Sequence, residues 1–74
     1  MNVEEFITLV RTECGLPVRT GDLRTPFDDL TGWDSVYLLK LLAVLEATTG
    51  TRLSAGRLFE ARDLADVHSL VADA

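Results

Sequence analysis

The chain is short of the residues on which most sequence-level assignments of function rest: it has one cysteine, one histidine, one tryptophan and seven basic residues among 74. With a single cysteine, Cys14, no internal disulfide framework can form, and a reducing compartment, the cytoplasm, is the expected location. Cys14 itself reads as a small buried apolar residue rather than a reactive thiol. The single histidine, His68, has neither a nucleophile nor further metal ligands at a motif spacing, so it reads as a solvated or helix-packed imidazole. The six arginines and one lysine are scattered, and the net charge is −5. They form no basic stripe to track a phosphate backbone and no basic recognition helix, which argues against nucleic acid as a partner. No apolar run approaches the ~20 residues that span a bilayer, so no membrane segment is expected. The stretch MNVEEFITLV carries Glu4 and Glu5 where a secretory signal would carry basic residues, and it lacks a small-residue cleavage site, so export is not expected.

What is present is hydrophobic content, at 47%, enough for a packed core. A chain of this length buries only about 60% of its unfolded surface and does not divide that core, so residues 1–74 are expected to form one domain. The acidic surface suits basic patches on other proteins, with a salt-sensitive association rate.

Helical signals cover most of the chain. Asn2 with Glu5 has the spacing of a capping box, and Val3, Phe6, Ile7, Val10 and Cys14 fall on one helical face. Gly15 fits a left-handed stop, Leu16 can fold back on Val10, and Pro17 prevents continuation. Residues 16–34 form a long connection, with a turn at Thr20-Gly21-Asp22 and a single helical turn at TPFDDL, where Thr25 caps and Pro26 takes the first helical position. Leu23, Phe27 and Leu30 are expected to pin this connection to the core; its length invites a functional explanation. A second helix runs from near Ser35 to about Thr49 and stops at Gly50. Its core stripe is Leu38, Leu41, Leu42 and Leu45, widened by Leu39 and Val44, and its outward line is Val36, Lys40, Ala43 and Ala47 with Tyr37 on the flank. Ser54 caps a short third helix through Phe59, and a last helix begins at Arg62 or Asp63 with Leu64, Val67 and Val71 inward. No strand alternation or internal repeat is present, so an all-α bundle is expected, with three main helices, one short helix and a long loop between the first and second.

Chemistry has few places to sit. Asp28, Asp29 and Asp34 lack the alternating oxygen ligands and distal glutamate of a calcium loop, so they read as solvated charge or partner contacts and no metal is expected. Ser35 stands out within LTGWDSVYLL, where a glycine-containing loop meets the most hydrophobic helix. Asp and Ser both suit a helix N-terminus, so a cap is the plain reading of this stretch.

The order of features, with Asp34-Ser35-Val36 at the start of the second helix followed by LEATTGTRLS and then LFEA, resembles the acyl and peptidyl carrier protein family over essentially the whole chain. The resemblance implies that Ser35 is the attachment point for a covalent 4′-phosphopantetheine arm drawn from coenzyme A. It also implies that Asp34 and Val36 are recognition elements beside it, and that partners dock on Tyr37, Lys40, Ala43, Glu46 and Ala47. Trp33 either packs on the bundle and fixes the loop or anchors a partner enzyme. The implied partners are a phosphopantetheinyl transferase, a loading enzyme of the adenylation or acyltransferase type, and downstream enzymes of the pathway. The carrier itself is expected to be a monomer and to perform no catalysis. A phosphodiester on Ser35 would also meet the dipole and free N–H groups of a helix N-terminus.

This sequence departs from the family's commoner patterns. Val36 replaces the usual leucine, TGWDS stands where embedded peptidyl carriers show Gly-Gly and often His, and Arg62 follows LFEA where proline is common. The second-helix face lacks the acidity of fatty-acid carriers. The mixture implies a discrete carrier of a specialised polyketide or nonribosomal-peptide pathway. The alternatives are a carrier for fatty-acid synthesis or for an envelope-destined amino acid, and an unmodified helical adaptor in which Ser35 only caps.

Overall fold

The computed structural model describes residues 1–73 and is all-helical. Helix α1 spans Val3–Cys14, α2 Val36–Thr49, α3 Ala55–Phe59 and α4 Leu64–Asp73, with 3₁₀ turns at Thr20–Asp22 and Phe27–Asp29 between α1 and α2. Helix α1 packs on α2, α2 on the short α3, and α3 on α4, which closes the bundle.

Local chemistry accounts for most of the boundaries. The Asn2 side chain accepts the Glu5 N–H at 2.8 Å while Glu5 Oε1 accepts the Asn2 N–H at 3.3 Å, completing the capping box. Both long helices stop where a glycine takes the left-handed region that a side chain disfavours, Gly15 at φ 70° and Gly50 at φ 68°. Ser54 Oγ accepts the Arg57 N–H at 3.2 Å and so caps α3. Asp63 Oδ1 does the same for the Asp66 N–H at 2.9 Å, immediately before α4.

The core is apolar throughout, with no buried polar or charged residue among those described. Phe6, Ile7, Val10 and Cys14 enter it from α1, Leu38, Leu41 and Leu45 from α2, Leu58 from α3, and Leu64, Val67 and Val71 from α4. His68 packs against this core: its ring lies 5.3 Å from Phe6, and its Nε2 is 2.9 Å from the Met1 carbonyl.

The long connection is tethered to the other end of the chain. The Phe27 N–H donates to the Arg62 carbonyl at 3.0 Å and the Ala65 N–H to the Leu23 carbonyl at 2.9 Å, while Phe27 is buried and Leu23 and Leu30 pack partly buried against the core.

Two sequence expectations are corrected here. The turn at TPFDDL places Pro26 at the cap and Phe27 first, with ψ of 142° at Pro26, and no Thr25 side-chain cap forms. The second concerns the width of the α2 stripe. At about 100° per residue, the inward line of Leu38, Leu41 and Leu45 leaves Leu39 roughly 130° away from its centre. Leu39 is accordingly 54% exposed, and Leu42 and Val44 are half-buried at the edges.

Cys14 supplies a test of the core. Burial pushes its thiol above the ordinary value, the Lys40 charge pulling partly the other way. The native state therefore holds the proton to higher pH than the unfolded chain. The stabilising difference is complete below the unfolded value of about 8.5 and is lost as pH rises through the higher native one. Urea midpoints measured at pH 7 and pH 9.5 should fall for wild type and fall less for Cys14→Ala; equal falls would place the thiol in solvent.

Candidate functional site

The segment that leads into α2 was expected to offer a serine cap and free N–H groups; the structure divides those roles differently. Ser35 already has helical backbone angles, φ −60° and ψ −19°, and its hydroxyl makes no capping hydrogen bond. A capping side chain reaches the first-turn N–H groups from an extended backbone, so a serine in the helical region is poorly placed to do so. Asp34, one residue earlier, takes that role: its Oδ1 accepts the Val36 N–H at 3.0 Å. The Tyr37 N–H donates to the Asp34 carbonyl and the Leu38 N–H to the Ser35 carbonyl, each at 3.0 Å. The first-turn N–H groups are thus satisfied locally, and the expectation of free donors for an anion does not hold at these three positions. What remains is the positive end of the helix dipole and an exposed, unbonded Ser35 hydroxyl.

Asp34→Ala should therefore destabilise the fold by ~1 kcal/mol, the usual cost of losing a helix cap. A thermal melt checks this; an unchanged midpoint would show that the 3.0 Å contact contributes nothing.

The aromatic side chains of the loop are stacked inward. Trp33 lies on Phe27 with ring centroids 4.0 Å apart and planes 6° from parallel, and a second aromatic neighbour is Tyr37 at 5.6 Å and 37°. Trp33 and Tyr37 are half-buried as a result. The contact with Phe27, six residues away through an irregular loop, has no signature in sequence spacing.

Along α2 the outward line of Val36, Lys40, Ala43 and Ala47 is exposed as expected, and Leu39 joins it. Glu46 is half-buried and turned to a structural task, its Oε2 accepting the Leu53 N–H at 2.8 Å. Phe59 on α3 is a further large apolar side chain left 47% exposed. The spacing of Leu39 from Val36, three residues on, was the signal that could have placed it outside.

Among the described residues, no group of three or more His, Cys, Asp or Glu side chains could hold a metal ion. A surface concavity of about 530 Å³ runs along α1 between Glu4 and Glu13, and a smaller one of about 320 Å³ is lined by Pro26, Phe27 and Asp28 of the connection with Ala61 and Arg62; Ser35 lines neither. The candidate site is an exposed hydroxyl at a helix start, open to carry a group.

The family model for a phosphopantetheine attachment site matches residues 4–71. The chain belongs to the phosphopantetheine-attachment family. It is accordingly a carrier domain, and the cofactor of this family is covalently bound 4′-phosphopantetheine. No curated protein and no solved structure matches the chain. The residues before α2 fit a group held through a phosphodiester, because esterifying a hydroxyl that makes no hydrogen bond sacrifices no native contact. No helix among the described residues is long and apolar enough to cross a membrane.

Proposed function

We propose that Ser35 bears the phosphopantetheine arm, and that the chain is a discrete cytoplasmic carrier shuttling an intermediate between the enzymes of a specialised polyketide or nonribosomal-peptide pathway. The observation that carries this reading is the exposed, unbonded Ser35 hydroxyl at the start of α2, in a chain that matches the family over residues 4–71. When bound, the arm supplies a terminal thiol that holds cargo as a thioester. The bundle's own contribution is to present Ser35 on a rigid helix start and to keep the tethered cargo at high effective concentration near a docked enzyme. It catalyses nothing.

The assignment to a specialised pathway is supported by the outer face of α2. Val36 is 55% and Leu39 54% exposed, and Ala43 and Ala47 extend the strip. Lys40 is the one exposed charge on this face, Glu46 being engaged with Leu53. An enzyme whose basic patch is built for an acidic helix finds no complementary charge here, whereas an apolar patch with a polar rim does find its counterpart. Asp34 beside Ser35, with Tyr37 and Trp33 on the flank, completes the surface a partner meets.

Kinetics with purified enzymes test this face. The arm-bearing protein should be loaded by the adenylation or acyltransferase enzyme of its own pathway at least ~100-fold more efficiently than by a fatty-acid-synthesis acyltransferase, a gap of about 2.7 kcal/mol. Leu39→Glu and Lys40→Glu should each lower kcat/KM with the pathway enzyme by about tenfold, or 1.4 kcal/mol, without shifting the melting temperature. Efficient loading by the fatty-acid enzyme would overturn the pathway assignment, and normal kinetics for both variants would remove the docking face.

A further inference from the structure

The loop that delivers Ser35 is shaped by hydrogen bonds but not fixed in place by them. Among the described residues, the hydrogen bonds of Leu30–Ser35 all close within three positions. Leu30 N–H donates to Phe27 C=O at 3.1 Å and Trp33 N–H to Leu30 C=O at 3.2 Å, and the remaining three run from the first turn of α2 to Asp34 and Ser35. Such local turns define a conformation without attaching it to the rest of the fold. Attachment comes from apolar contact: Leu30 packs partly buried, and the Trp33 indole is stacked on Phe27 and tilted against Tyr37. Phe27 is itself fixed, being 7% exposed, with its N–H bonded to the Arg62 carbonyl just before α4. The indole therefore connects the α3–α4 junction, through Phe27, to the first turn of the helix that Ser35 opens.

We propose that Trp33 is a positioning residue for arm attachment, the Phe27–Trp33–Tyr37 stack holding the Leu30–Ser35 loop in the arrangement a phosphopantetheinyl transferase must meet. The proposal rests on the reading that Ser35 bears the arm. In that reaction Ser35 Oγ forms a bond to the phosphorus next to the pantetheine of coenzyme A. The bond from that phosphorus to the bridging oxygen breaks, adenosine bisphosphate leaves with the electron pair, and the hydroxyl proton passes to a base on the transferase. An attacking oxygen on an unanchored loop is presented correctly only part of the time. When the competent arrangement is only fractionally populated, apparent affinity falls by that fraction. Loss of the stack therefore raises KM for the carrier and leaves kcat in place.

Phe27 separates positioning from direct contact, because its side chain is only 7% exposed and offers a transferase almost no surface. Steady-state arm transfer from coenzyme A by a broad-specificity transferase would be measured on wild type, Phe27→Leu, Phe27→Met, Trp33→Leu and Trp33→Phe. Far-UV circular dichroism confirms that each is folded, and near-UV signal from the only tryptophan reports the stack. The two Phe27 variants and Trp33→Leu should lose the near-UV signal and raise KM by about tenfold with kcat within about twofold, as for a competent fraction of about one in ten. Trp33→Phe should recover most of the lost affinity. With two Phe27 variants of different shape, one folded protein suffices for the comparison. A wild-type KM in a folded Phe27 variant that has lost the near-UV signal overturns the positioning role, whether or not Trp33→Leu is impaired. A wild-type chain that takes up no arm overturns the reading of Ser35 and this proposal together.

Discussion

Ser35→Ala is expected to take up no phosphopantetheine at any transferase concentration while melting within about 2 °C of wild type. The first half follows from chemistry, since alanine has no oxygen to esterify. The second half is the sharper expectation, because a serine in front of a helix is ordinarily a cap. Losing a cap costs ~1 kcal/mol, which in a domain of this size lowers the midpoint by about 4–8 °C. Here the hydroxyl is exposed and makes no capping bond, the backbone is already helical, and the capping oxygen belongs to Asp34. Alanine suits helical backbone angles at least as well as serine does. Calorimetry on the two proteins decides the point. A drop of more than about 4 °C would mean that the Ser35 hydroxyl is a structural cap after all.

Leu41→Ala is expected to cost about 2–5 kcal/mol, through lost burial and the cavity left behind. Leu41 is fully buried, on the inward line of α2 with Leu38 and Leu45. For a domain whose whole stability is on the order of 5 kcal/mol, that change removes much or all of the folding transition. Leu39→Ala, two residues away on the same helix, should stay within about 0.5 kcal/mol, as exposed positions usually do. The pair measures the orientation of α2 directly, by urea midpoints at constant slope. Equal costs at the two leucines would contradict the inward line drawn through Leu38, Leu41 and Leu45.

Those leucines also mark how far the sequence could be read. Caps and stops were legible because each is a short-range device: Asn2 with Glu5, Gly15, Ser54 and Gly50 all act within four residues of where they stand. The inward faces of α1 and α4 were legible because their apolar residues keep one line. Helix α2 is apolar nearly all round, so periodicity set its centre and not its width, and Leu39 was placed inside. Ser35 was legible as the distinctive residue before α2. Its local geometry was not, since whether Asp34 or Ser35 caps depends on a backbone angle that either residue tolerates. Trp33 remained open between two roles because its stacking partner, Phe27, is positioned by a hydrogen bond to Arg62 at the far end of the chain. No spacing rule reaches that distance.

The role of Ser35 as the attachment point is tested most directly by incubating the wild-type chain with coenzyme A and a broad-specificity phosphopantetheinyl transferase, then locating any added mass by peptide fragmentation. The other serines are Ser54, whose hydroxyl caps α3, and Ser69 within α4. The expected result is one phosphopantetheinyl group per chain, on the fragment that holds Ser35. No added mass, or a group on a different residue, would contradict it.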